Sequence, residues 1–128
     1  MKKTLALAIV ATLAMSIMAT TLPGATAATA PVVKTGNCSA TSSWRLTLKK
    51  DLGRIEADLE VQTATAGQKW VSRFSDNGSV FGRATKTTIA DGSFSATRFA
   101  TNQVGSDLIK VRSVNQTTGE VCRASAKF

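Results

Sequence analysis

The stretch Trp44-Arg45-Leu46-Thr47-Leu48-Lys49-Lys50-Asp51-Leu52-Gly53-Arg54-Ile55-Glu56-Ala57-Asp58-Leu59-Glu60-Val61 decides the fold. Its apolar residues recur at every second position on both sides of Lys50-Asp51-Leu52-Gly53, which is the period of a half-buried strand and not of a helix. Folded back as a hairpin around that four-residue loop, it sets Leu48 against Ile55, Leu46 against Ala57 and Trp44 against Leu59, with Arg45 opposite Asp58 on the wet face. One register satisfies both faces, as cross-strand pairing requires.

The same period continues downstream. Trp70, Ser72 and Phe74 alternate with Val71, Arg73 and Ser75, and Asp76-Asn77-Gly78-Ser79 carries the Asn-Gly signal of a type I′ hairpin turn. In the return strand, Val80 to Thr87, a two-residue turn pairs Phe74 with Phe81 but also brings Arg83 to the side of Ser72, so an edge strand or a bulge is expected there. Ser93 to Ala100 shows two conflicting faces, Phe94 and Ala96 against Thr97 and Phe99, which predicts a mid-strand irregularity. Leu108 to Asn115 alternates again, Asn115 to Glu120 reads as a polar hairpin loop, and Cys122, Ala124, Ala126 and Phe128 face inward on the last strand. Seven short strands with turn signals between them describe an all-β, seven-stranded antiparallel sandwich.

Ahead of this domain, Lys2 and Lys3 precede an apolar run from Leu5 to about Ala19, Pro23-Gly24 breaks it, and Ala25-Thr26-Ala27 offers small residues for cleavage. These are the three regions of a cleavable, helical secretory signal, placed at residues 1–27. The second small-residue site, Ala28-Thr29-Ala30, is disfavoured because Pro31 follows it. An uncleaved anchor is the rival reading, but Thr12, Ser16, Thr20 and Thr21 dilute the apolar run. The expectation is therefore a secreted protein, extracellular or wall-associated, with no membrane span once the signal is cut. Residues 28–37 then form a linker and residues 38–128 the domain.

Removal of the signal takes two of the 16 Lys and Arg and none of the eight Asp and Glu, which leaves 14 basic residues and a net charge of +6. The chain has two cysteines, Cys38 and Cys122, and export makes their pairing as one disulfide the default. Closing so long a loop stabilises a fold by about 4 to 5 kcal/mol in the chain-entropy model. A redox or metal-binding pair would need a CxxC spacing or a histidine, and the sequence has neither. No metal or other cofactor is expected.

The third and sixth strands look like those of immunoglobulin-like domains: Trp70 lies on the third, and the sixth reads Gly105-x-Asp107-x-Ile109-x-Val111-x-Ser113, with Ile109 where Tyr is common and Val111 where Cys is common. Those two substitutions remove the usual central disulfide and the tyrosine corner while keeping the inward face apolar. The mature chain also resembles a group of small secreted actinobacterial proteins of uncharacterised function. That resemblance sits in Cys38, Trp44, Gly53-Arg54-Ile55-Glu56, Gly67-Gln68-Lys69-Trp70, Asn77-Gly78, Gly92-Ser93-Phe94, Gly105-Ser106-Asp107 and Gly119-Glu120-Val121-Cys122. It implies the fold and the exported location, and no activity.

Catalysis finds little support in the residues. Without histidine the commonest base for activating Ser or Cys is missing. Glu56, Asp58 and Glu60 share a strand face, as a glycosidase pair would, but a flat face has no pocket to separate their acidities. The expectation is no enzyme, but a monomeric binding module directed at a cell-wall component or another secreted protein. Two rivals remain. One is a proteinase inhibitor presenting Thr63 to Gln68 or Asn115 to Glu120. The other is a binder of anionic polymers, wall polymer or nucleic acid, through Lys49, Lys50 and Arg54 at the first hairpin tip and through Lys110, Arg112, Arg123 and Lys127. Sequons at Asn37, Asn77 and Asn115 would matter only in a eukaryotic secretory route.

Overall fold

The computed structural model describes residues 29–128; the expected signal peptide lies outside the described residues. Eight strands follow in order: β1 (Val32–Asn37), β2 (Ser43–Asp51), β3 (Arg54–Gln62), β4 (Lys69–Asp76), β5 (Ser79–Thr87), β6 (Ser93–Thr101), β7 (Leu108–Asn115) and β8 (Val121–Lys127). They form two antiparallel four-stranded sheets, β1-β2-β3-β6 and β5-β4-β7-β8. Setting β1 aside, β2-β3-β6 facing β5-β4-β7-β8 is the strand order of an immunoglobulin-like sandwich, with Trp70 on its third strand.

The first correction is the strand count. Val32–Asn37, expected as linker, is a full edge strand paired with β2 from Val32↔Leu48 to Asn37↔Ser43. Its exposure does not alternate, so the period-2 signal is absent. What fixes it instead is Gly36, where a Cβ would lie 2.6 Å from the Trp44 ring; only glycine leaves room for the indole to fold over β1.

The second correction is the register of the deciding hairpin. Leu48 faces Ala57, Leu46 faces Leu59, Trp44 faces Val61 and Arg45 faces Glu60, a slip of two residues from the expected pairing. The strands run on to Asp51↔Arg54, and the turn is only Leu52-Gly53, with φ of 45° and 78°. Two positive φ values are those of a type I′ turn. A slip of two preserves both faces, so the inward set Leu46, Leu48, Ile55, Ala57, Leu59 and Val61 is buried as expected.

At the second hairpin Asn77 and Gly78 do adopt positive φ, 47° and 88°. β5 is an edge strand and is bulged: Ser75 pairs with Val80 and Phe74 with Gly82, leaving Phe81 as the extra residue. Phe81 packs on Phe74 with ring centroids 5.9 Å apart. Beyond the bulge, Arg83 lies opposite Arg73 and not beside Ser72.

The irregularity expected in Ser93 to Ala100 does not exist, since β6 pairs continuously with β3 from Ser93↔Gln62 to Thr101↔Arg54. Phe94, Ala96 and Ala100 point inward, and Phe99 is simply an outward aromatic, 43% exposed, with the Arg54 guanidinium 4.4 Å above its ring. The remaining inward position, Arg98, reaches across to the other sheet: its Nε and Nη2 donate to the Arg83 carbonyl at 2.9 and 2.6 Å, and its stem lies over Gly82.

Between the sheets, Trp70, Phe74, Leu46, Leu48, Ile55, Leu59 and Ile109 are fully enclosed. Trp70 meets Phe94 across the gap at 5.6 Å. The Cys38–Cys122 disulfide spans 84 positions and joins the residue after β1 to β8, so it bridges the two sheets at their edges and not through the centre. Beside it Glu120 holds the 38–42 loop, accepting from the Ala40 and Ser42 amides at 3.0 Å each and from the Ser42 hydroxyl at 2.6 Å.

Candidate functional site

The outer face of the β5-β4-β7-β8 sheet is built by the same alternation that builds the core. On β4 the residues between the buried Trp70, Ser72 and Phe74 are Val71, Arg73 and Ser75; on β7 they are Lys110, Arg112 and Val114; on β8 they are Val121, Arg123 and Ser125. Register then does something no single strand shows. Arg83 faces Arg73, Arg73 faces Arg112, and Arg112 faces Arg123, so four arginines stand in one line across all four strands. Neighbouring strands lie about 4.8 Å apart, which sets the spacing of the row.

All four arginines are exposed. Lys69, Lys110 and Lys127 share the face, and no Asp or Glu projects from it. Along the row runs a shallow groove of about 380 Å³, with Arg73, Arg112 and Arg123 on one wall, Ser75, Lys110 and Ser125 on the other, and Val111 and Ala124 beneath. Like charges directly opposite one another destabilise a sheet. Three such pairs are retained side by side with no acidic residue to offset them.

Of the expected anion-binding residues, the structure gathers Lys110, Arg112, Arg123 and Lys127 on this face and adds Arg73 and Arg83, which the sequence reading passed over. Lys49, Lys50 and Arg54 sit apart, at the tip of the β2–β3 hairpin on the other sheet. There Arg54 is engaged by Asp51 at 2.6 Å and by Phe99, while Lys49 faces Glu56 across the strand pair. The acidic residues Glu56, Asp58 and Glu60 occupy the outer face of β3, where Thr97 donates to Asp58 at 3.0 Å. The outer face of this sheet is therefore mixed, with Arg45, Lys49 and Arg54 set against Asp51, Glu56 and Glu60 across the β2–β3 pair, whereas that of the other sheet is basic alone.

The loops considered for protease inhibition are tied down. Thr63 Oγ donates to the Gly92 carbonyl at 2.8 Å, Thr88 Oγ donates to the Thr65 carbonyl at 2.7 Å, and the buried Asn115 side chain accepts from Thr117 N at 2.8 Å. Asn115 is 1% exposed, which leaves its sequon inaccessible in the folded chain.

Two carboxylates stand out for burial. Asp76, at the end of β4, and Asp107, before β7, are 4% and 0% exposed, and Oδ1 of each has no hydrogen-bond partner. Burial pushes the Asp76 carboxyl above its ordinary range, and the neighbouring Asp107 adds to that. Their enclosure gives no substrate access. Among the described residues no group of three or more Cys, Asp, Glu or His is arranged to hold a metal ion, and no helix is long and apolar enough to cross a membrane.

Comparisons with protein-family models, with curated proteins and with solved structures return no match.

Proposed function

We propose that this chain is an exported, non-catalytic binding module that holds an anionic polymer against the arginine row of the β5-β4-β7-β8 sheet. The observation that carries this reading is the line Arg83, Arg73, Arg112, Arg123 on a face without acidic residues. A guanidinium fork matches phosphate, sulfate and carboxylate groups, and a polyanion laid along the row would relieve the repulsion built into it. The signal-like N-terminus and the disulfide support an extracellular setting, where wall polymers and released nucleic acid are the available polyanions. No aromatic side chain stands in the arginine row or the groove beside it, so recognition proceeds through charge and not through base stacking.

Retention on heparin and titration with a fluorescent polyanion test this. With four contacts, affinity should fall roughly 50-fold between 50 and 200 mM salt, taking a slope of about −0.7 per contact. Arg112→Glu should abolish most of the binding. The same change places a carboxylate between Arg73 and Arg123, so it should leave the melting temperature unchanged or raise it. Binding that survives Arg112→Glu would reject the face as the site.

A further inference from the structure

A second surface lies at one end of the sandwich and owes nothing to the arginine row. The Leu52-Gly53 turn breaks two rules at once. Leu52 takes a left-handed φ of 45°, where Asn or Gly would be unstrained, and its side chain is 95% exposed. Strain and apolar exposure in one residue, with no packing to offset either, is the pattern of a position kept for a contact.

The neighbouring loop repeats the exposure. Asn102 N donates to the Gly53 carbonyl at 3.1 Å, which brings the segment after β6 against the hairpin tip, and two residues on Val104 is wholly exposed. The exposed Lys49 and Lys50 flank the tip; Glu56 lies opposite Lys49 and Asp51 is held by Arg54, so three basic side chains stand against two acidic ones and the tip is positive on balance. Two apolar points beside a tip that carries two lysines are complementary to an anionic lipid surface, with leucine and valine entering the headgroup boundary and ammonium groups resting on phosphates.

We infer that the end of the sandwich carrying Leu52 and Val104 docks on an anionic lipid membrane. Lys49 and Lys50 supply the attraction, and the two apolar side chains supply the insertion. Docked this way the strands stand upright on the bilayer, and the arginine face stays open to a polymer beside it.

The test uses the chain from Ala28 onward, which contains every strand of the sandwich, sedimented with phosphatidylcholine vesicles with and without phosphatidylglycerol. Binding is expected only with phosphatidylglycerol. Leu52→Asn combined with Val104→Asn should lower the partition coefficient about tenfold or more. Because Asn-Gly is the preferred type I′ pair, this variant should melt no lower than the parent and should keep its retention on heparin. Failure of the parent to bind anionic vesicles would overturn the inference. So would unchanged vesicle binding by the double variant, since that would assign the attraction to the arginine face. Loss of heparin retention in Arg112→Glu with vesicle binding intact separates the two surfaces.

Discussion

Asp76 and Asp107 show how one buried pair sets a pH dependence. A carboxyl whose folded pKa lies above its unfolded value contributes stability that is fully present below that unfolded value and is lost as pH rises through the folded one. Asp76 is raised from 3.8, by burial first and Asp107 second, so its contribution declines as the solution moves from acid toward neutrality. Asp76→Asn removes the ionisation and lets an amide donate toward Asp107. The variant should therefore melt higher than the parent at neutral pH, with the gain shrinking on acidification; melting curves across the acid range check both the sign and the window. An equal gain at every pH would mean that packing, and not charge, governs the site.

Elements differ in how far their sequence foretold them. The inward sets of β2, β3, β4, β7 and β8 follow from alternation, because each has one buried and one wet face. β1 escaped because an edge strand with little buried surface has no period to read, and its place depends on Trp44 folding over Gly36. The two-residue slip of the first hairpin was hidden by Leu52, a poor residue for the positive φ it adopts. In β6 the outward Phe99, stacked under Arg54, mimicked a second inward face. The arginine row was the least legible feature, since Arg83 joins it only through the Phe81 bulge and alignment with Arg112 and Arg123 needs the sheet order. At this scale Glu120 offers a test: its carboxylate satisfies two amides and a hydroxyl of the 38–42 loop. Glu120→Ala should destabilise the chain by about 2 to 3 kcal/mol, within the range for charge-assisted hydrogen bonds, as chemical denaturation would show.

On the scale of the whole molecule, the Cys38–Cys122 bridge closes a long loop around a modest core. Replacing both cysteines by Ala should lower stability by about 4 to 5 kcal/mol, and with it the melting temperature by roughly 20 °C. A small change would show that β1 and β8 hold the edge without the covalent link. The opposite edge, between β5 and β6, has no disulfide; the 88–92 connection crosses between the sheets at one end of it, and along its length Arg98 reaches to the Arg83 carbonyl. The sandwich is thus bound like a book, with a sulfur spine on one side and a hydrogen-bonded clasp on the other. Breathing motions should begin at the clasp, and native-state hydrogen exchange should find β5 and β6 amides opening at lower free energy than those of β8. Because Arg83 ends the arginine row on that side, a polymer bound along the row would slow this exchange and hold the book shut.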